Sequence, residues 1–317
     1  MRTHKTLGLL LSTLLPLAAC GLPEQDSRGL PQTEPVAPPR LTADDRSDFT
    51  INKPVIRGMW GSSDKDVWAA GEEGMMLHWD GKIWGRVSVP TGGDLLAIWG
   101  ASDKDIWAVG EAGVVIRWDG SAWSRVTTPV PDSATLNDVW GTSGSNVWAV
   151  GDRGALIQFN GSAWGATNLP IINNLLTVWA ASTTDAWIGG DLGLLLRWDG
   201  AAWSGVPSGS SQPFVHIRGT ASNKVWAAKQ NQEIWTFDGS KWARLSVSGV
   251  FGSRLWINAD NDIWVYRSTY ASHFTTMWTS FSFSGELTAL WGANPMTAWA
   301  MTTSEISRFT GTWSFGW

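Results

Sequence analysis

The residues best suited to chemistry in this chain are those that break a pattern. His216, Arg218, Lys229, Tyr266, Tyr270 and His273 bring together two cations, two imidazoles and both tyrosines of the protein. Guanidinium and ammonium groups recognise carboxylates and phosphates, and phenol and imidazole add donors and stacking surface, so the set points to binding. It does not compose a catalytic centre. The four histidines, His4, His78, His216 and His273, lack a paired zinc-ligand spacing. Neither a Gly-x-Ser-x-Gly elbow nor a Gly-x-Gly-x-x-Gly phosphate loop occurs. Glu72, Glu73, Glu111, Asp152 and Asp191 recur at matching positions, where a ring of carboxylates would suit Ca²⁺. Single acids on separate turns read instead as solvated surface, so no metal, cofactor or catalytic residue is expected.

The elements that must position these groups are legible from Leu95 to Val126, LLAIWGASDKDIWAVGEAGVVIRWDGSAWSRV. Four short runs rich in Val, Ile and Trp end at Gly100, at Gly110, at Asp119-Gly120 and at a Thr-Pro connector. Such runs read as strands joined by hairpins. The second-run tryptophans Trp68, Trp107, Trp148, Trp187, Trp226, Trp264 and Trp299 step by 39, 41, 39, 39, 38 and 35 residues. The first run keeps that step at Trp60, Trp99, Trp140, Trp179, Arg218, Trp256 and Trp291, with one Arg in place of Trp. The third run ends at Trp79, Trp118, Phe159, Trp198, Phe237, Trp278 and Phe309, and the fourth carries Trp84, Trp123, Trp164, Trp203, Trp242 and Trp313, with Phe283 standing in for the sixth copy. Between the last two runs Asp80, Asp119, Asn160, Asp199 and Asp238 precede Gly, where a short acceptor caps the backbone of a tight turn.

Four strands per unit, copied seven times, predict an all-β chain: a seven-bladed β-propeller with four antiparallel strands per blade. Radial packing also accounts for 25 Trp in 317 residues. Both faces of each sheet are buried, and the outer strands fill a widening wedge with large side chains. The repeated aromatics are therefore core, each with an indole N–H that wants a partner. Small residues at Gly58, Ala97, Thr177 and Ala289 suit a crowded inner strand.

The run IRWDGSAW at Ile116–Trp123, with LRWDGAAW at Leu196–Trp203 and WTFDGSKW at Trp235–Trp242, resembles the Asp-box of sialidase propellers. AVGEAG at Ala108–Gly113 and AVGDRG at Ala149–Gly154 resemble the repeat of the photosystem II assembly-factor propellers. Trp-rich propeller repeats of bacterial lipoproteins are also similar. The resemblance runs from Val55 to the C-terminus and implies fold and turn geometry rather than chemistry. The Asp-box has one more residue between Asp and Trp and a Ser or Thr two before the Asp; here that slot holds His78, Arg117, Gln158, Arg197 or Thr236.

Copies one to four share a second hairpin turn of the form Gly-x-x-Gly, from Gly71/Gly74 to Gly190/Gly193. Copies five to seven replace it with Lys229–Glu233, a longer Arg267–His273 and Thr302–Glu305. Alternation along four strands puts these turns on the rim that also carries the inter-blade connectors. The pattern-breaking residues are thus expected to mark the rim of blades five to seven as the surface for a protein or glycan partner. A non-enzymatic scaffold or binding module is the leading function, a monomer as expected. A sialidase-like glycan-active enzyme, using an arginine cluster from Arg57, Arg218 and Arg254 with Tyr266 and Glu286, and a purely structural component are the alternatives. An acidic chain without Lys/Arg clusters excludes nucleic acid as partner.

The N-terminus is expected to be processed. Arg2 and Lys5 precede an apolar stretch, Leu7 to Leu17, too short for a permanent span, as in a signal peptide. Leu17-Ala18-Ala19-Cys20 resembles the bacterial lipobox, and Cys20 is the sole cysteine, so lipidation with palmitate-type acyl chains and anchoring to the outer membrane are implied. Removing residues 1–19 takes two positive charges from a formal −5 and leaves −7. Pro23, Pro31, Pro35, Pro38 and Pro39 among polar residues make a disordered, extended tether. The expected organisation is signal peptide 1–19, lipidated Cys and tether 20–53, and propeller 54–317, with blades near 55–90, 94–128, 135–169, 174–207, 213–247, 251–284 and 286–317.

Overall fold

The computed structural model describes residues 55–315; the expected signal peptide, the expected lipidation site Cys20 and the expected tether lie outside them. Seven four-stranded antiparallel sheets follow one another, spanning 56–86, 95–125, 136–166, 175–205, 214–244, 254–282 and 287–315. The first strand of each sheet packs beside the first strand of the next, and Leu287–Asn294 of the seventh packs beside Ile56–Ser63 of the first. The ring is closed, a seven-bladed propeller. Among the described residues no blade borrows a strand from the other end of the chain, and side chains hold the seam: the packed cluster together with the Arg308–Asp64 ion pair.

The hydrophobic core is correspondingly divided. Each buried cluster straddles one blade interface; the closing one joins Met59, Val67 and Trp84 to Trp291, Trp299 and Met301. Two tryptophan patterns repeat around the circle. The second-strand Trp of one blade meets the fourth-strand Trp of the next edge to face: Trp68 with Trp123, Trp107 with Trp164, Trp148 with Trp203, Trp187 with Trp242, Trp264 with Trp313, and Trp299 with Trp84 across the closure. Nearer the axis, the first-strand Trp lies against the first strand of the following blade. A Cβ on Gly100 would come within 2.7 Å of the Trp60 ring, one on Gly141 within 2.6 Å of Trp99, and one on Gly61 within 2.8 Å of Trp291. The recurring Trp-Gly dipeptide is therefore an interlock in which the glycine receives its neighbour's indole.

Indole N–H groups divide by position. Trp79, Trp118 and Trp198 donate to carbonyls of the first hairpin turn, at Asp64, Asp103 and Thr183. On the first strand of blade six, Trp256 donates to the Gly292 carbonyl at 3.1 Å. The buried indoles of Trp107 and Trp148 on second strands and of Trp123 and Trp164 on fourth strands have no oxygen acceptor and pack ring on ring instead. The expectation of a polar partner for each buried Trp therefore fails at these two strands. The energetic reason is that an edge-to-face indole keeps part of its electrostatic interaction without burying a carbonyl.

The sixth copy departs from its expected register. Its second hairpin is a tight turn in which Arg267 pairs Tyr270, and its third strand is Tyr270–Phe274. Phe274 pairs Trp278 as Trp118 pairs Trp123. Phe274 thus ends the third strand and Trp278 opens the fourth, in place of the expected Trp278 and Phe283.

Candidate functional site

The axis is the first place where pattern-breaking residues converge. First-strand residues from all seven blades line a cavity of about 80 Å³, among them Arg57, Asn137, Asp138, Trp140, His216, Arg218 and Leu290. Two positions before the first-strand Trp, blades one, two and seven carry Gly58, Ala97 and Ala289, whereas blades three to six carry Asp138, Thr177, His216 and Arg254. First strands face the axis with an unpaired edge, and these side chains satisfy it. The Asp138 carboxylate accepts the Val178 N–H at 3.0 Å, the Thr177 hydroxyl accepts the Ile217 N–H at 3.0 Å, and His216 Nδ1 accepts the Leu255 N–H at 3.3 Å. Each latch joins one blade to the next.

Arg218 crosses this arc. It donates to both Asp138 oxygens at 3.1 and 3.3 Å and to the Ile217 and Val178 carbonyls at 2.7 and 3.2 Å, with its guanidinium 4.7 Å from the centre of the Trp140 ring. It is buried, not a rim group. Burial, then the charges of Arg218 and Arg254, hold the His216 imidazole well below its ordinary pKa, so it is neutral and its Nε2 carries the proton. Tyr266, also buried, has its phenol pushed up by burial against the opposing pull of Arg254 and Arg218.

The remaining candidates lie apart. His273 sits mid-strand, 4% exposed, bonded through Nε2 to Asp262 at 2.8 Å and stacked on Trp264 at 3.8 Å. That arrangement recurs: His78 with Asp66, Arg117 with Asp105, Gln158 with Asn146 and Arg197 with Asp185 join the third strand to the start of the second. The slot that departs from the Asp-box is therefore a structural bridge. Lys229 is fully buried, its ammonium 3.8 Å from the Trp235 ring centre and 4.8 Å from that of Phe214, without a hydrogen-bond acceptor. Tyr270 alone stays at the rim, parallel to Phe251, which also carries the Arg267 guanidinium at 4.2 Å. The six residues do not form one exposed surface on blades five to seven. Shortening the sixth hairpin drew His273 into a strand, and the inward face of the first strands took Arg218 and His216 to the axis.

A feature outside the expected set lies on the connector rim of blades two to four. A groove of about 350 Å³ runs between Pro129–Ala134, the turn Asp152–Gly154 and 166–169. On the same rim Ile172 is 87% and Leu192 is 75% exposed. The connector carrying Ile172 is fixed to both flanking turns: Asn174 Oδ1 accepts from Arg153 N at 3.0 Å and its carbonyl from Asp191 N at 3.0 Å. Leu192 has φ 56°, a left-handed conformation that disfavours a branched side chain. Equivalent positions hold Glu73, Ala112 and Arg153, with the same left-handed backbone. A bulky apolar residue in a slot that elsewhere holds Glu, Ala or Arg was the signal available in the sequence.

The other turns are structural. Asp80, Asp119, Asn160, Asp199 and Asp238 each accept two backbone N–H groups, as Asp119 does from Ser121 and Ala122 at 2.8 and 2.9 Å. Of the rim carboxylates, Glu72 pairs Arg57 and Asp152 accepts from Asn137. Among the described residues no group of three acids, histidines or cysteines could hold a metal ion. The arginines proposed for a sialidase-like centre are largely committed, Arg57 to Glu72 and Arg218 to Asp138. The axial cavity is also well under the roughly 300 Å³ at which ligand pockets begin.

No protein-family model and no curated protein matches this chain. Solved structures do. YCF48 bound to D1 peptide superposes with a TM-score of 0.64 at 14% identity, covering 81% of this chain and 93% of that one. YCF48 from Cyanidioschyzon merolae gives 0.62 at 13%, covering 81% and 95%. The WD40 β-propeller domain of Doa1 gives 0.68 at 9%, covering 82% and 93%. At these identities the likeness is one of fold: the chain is similar to β-propellers, the assembly-factor type among them.

Proposed function

We propose that this propeller is a non-enzymatic protein-binding scaffold that docks an extended segment of a partner along the connector rim of blades two to four. The observation that carries the reading is the exposure of two apolar residues on one rim, Ile172 on a connector that Asn174 ties to the turns of blades three and four and Leu192 on the blade-four turn, together with a groove of about 350 Å³ on the same rim. Exposed apolar groups on a rigid rim mark interaction surfaces. A propeller of similar fold has been solved with a peptide bound, which supports a peptide as the class of ligand. The Arg153 guanidinium at the groove favours a segment with an acid among apolar residues. The lipid on Cys20 would hold the disc to the outer membrane through the Pro-rich tether, making it an envelope component.

The test is site-specific photo-crosslinking in cells, with a benzophenone amino acid at Leu192 and, as control, at Met296 on the opposite rim. A discrete adduct from position 192, lost when Ile172→Asp is added, is the expected result. Adducts equal at both positions would overturn the placement. A glycan is the second reading, favoured by the stacked Phe251 and Tyr270; glycan-array binding abolished by Phe251→Ala would shift the assignment to it.

A further inference from the structure

The free edges of the seven sheets are not alike. In each blade the fourth strand ends the sheet, so its outer edge carries unpaired N–H and C=O groups that another strand can join. Six of these strands are three residues long, from Trp84–Arg86 to Trp313–Phe315. Five of the six are also guarded. Arg86, Arg125 and Arg244 end three of them, and Pro90, Pro129, Pro170 and Pro207 follow soon after the strand in blades one to four. Blade six differs on both counts. Its fourth strand, Trp278–Ser282, pairs the third over five residues, and from Phe274 to Gly285 the chain has neither a charge nor a proline. Thr279, Ser280 and Ser282 are exposed, as is Met277 just before them.

The phase of the ladder decides which groups are free. Thr275 N–H donates to the Met277 carbonyl at 3.4 Å, and Phe283 N–H to the Thr269 carbonyl at 2.9 Å. Bonded and non-bonded pairs alternate along an antiparallel ladder. Thr279 and Phe281 therefore bond inward, while Trp278, Ser280 and Ser282 turn their N–H and C=O groups outward. In blade two Val126 N–H donates to the Val115 carbonyl, which leaves only Trp123 and Arg125 facing out. Three outward residues centred on a serine suit a copy of themselves. A two-fold through Ser280 sets Ser280 opposite Ser280, Trp278 opposite Ser282 and Phe281 opposite Thr279 in an antiparallel pair. Each large ring meets a short hydroxyl side chain, and no like charges face each other.

We propose that two copies of this chain pair through the outer edge of blade six, antiparallel and centred on Ser280, to make one continuous eight-stranded sheet. A weak, reversible dimer then takes the place of the monomer expected from the sequence. The contact lies on blade six, so the rim groove of blades two to four stays open. One strand pair buries less than the roughly 1,200 Å² of a stable interface, and a Kd of about 0.1–1 mM is expected in solution.

Sedimentation equilibrium is run on the chain from residue 20, with Cys20→Ser so that no thiol remains. The mass should rise from one copy toward two across that concentration range. Ser280→Pro removes an outward N–H and no backbone bond within the sheet, so it should keep the circular dichroism of the parent and weaken association by about tenfold or more. Ser280→Lys should do the same by placing two ammonium groups opposite each other. Mild oxidation reads the register. Directly opposite residues lie about 5.5 Å apart, within disulfide reach, so Ser280→Cys should link two copies, whereas Ser282→Cys, which faces Trp278, should not. A single-copy mass throughout the range, association unchanged in both the Pro and Lys variants, or equal cross-linking from positions 280 and 282 would overturn the assignment.

Discussion

Arg218 of blade five holds Asp138 of blade three by both terminal nitrogens, at 3.1 and 3.3 Å, across a separation of 80 residues. The pair bridges past blade four, whose Thr177 donates to the same carboxylate at 2.9 Å. Three consecutive blades are thereby braced at the axis, in the one copy where the inner tryptophan is absent.

The brace should be costly to break from one side. Asp138→Ala leaves a buried guanidinium and the Val178 N–H without their acceptor, and a loss of about 3–5 kcal/mol is expected. Combining it with Arg218→Trp removes the stranded charge and puts at each of the two positions, one in blade three and one in blade five, the residue type that blade two carries there, Ala97 and Trp99. Urea denaturation should then recover most of the loss. A double variant no more stable than Asp138→Ala would show that the pair does not replace the tryptophan interlock.

A second expectation concerns that interlock. At Gly100 an added Cβ would stand 2.7 Å from the Trp60 ring, so Gly100→Ala overpacks the interface between blades one and two and should cost about 1–3 kcal/mol. A Cβ added at Gly205 would meet nothing within 4 Å, and Gly205→Ala should change stability by no more than about 0.5 kcal/mol. Thermal melts of the two variants side by side check the difference.

The repeat made much of this readable in advance. Seven regularly spaced tryptophans specify the number of blades, and the unbroken apolar second strands mark sheets buried on both faces. The sixth register escaped because a tight Arg267–Tyr270 turn moves Phe274 into the slot that spacing alone gives to Trp278. The candidate site escaped for a different reason. A sequence places Arg218 on a first strand, but only ring closure brings Asp138 within reach of it. Ile172 and Leu192 were visible as apolar residues, but their exposure depends on a connector held between two turns.

The capped turns should give an acid signature. The Ser121 hydroxyl first, then the Ala122 and Ser121 N–H groups, hold Asp119 down to about 2; the Lys241 N–H, then the Ser240 hydroxyl, do the same for Asp238. A carboxylate whose folded pKa is depressed contributes stability above its unfolded value, about 3.9, and loses it as pH falls toward 2. Melting temperature should therefore drop through that window. Asn160 shows that an amide caps the same turn without titrating. Asp119→Asn with Asp238→Asn should flatten the drop while leaving the melt near neutral pH little changed, and an unaltered acid profile would assign it to other carboxylates.

Lys229 makes the interface of blades four and five the place to look for local opening. Burial lowers the pKa of its ammonium, which rests on Trp235 and Phe214 without an acceptor. The same blade lacks the acid–base bridge of its neighbours, with Lys224 and Thr236 at those positions, and Trp226 is not fully buried. Because the unfolded chain holds the Lys229 proton more tightly, stability should rise with pH as it approaches the ordinary lysine value of 10.5. Lys229→Met keeps the stem against both rings and removes the desolvated charge, so a gain of about 1 kcal/mol and loss of that pH dependence are expected. Hydrogen exchange should report it as slower opening of Val225–Ala228 and, across the interface, of Trp187 and Leu195 in blade four. A less stable Met variant would mean that the ammonium's attraction to the two ring faces outweighs its desolvation.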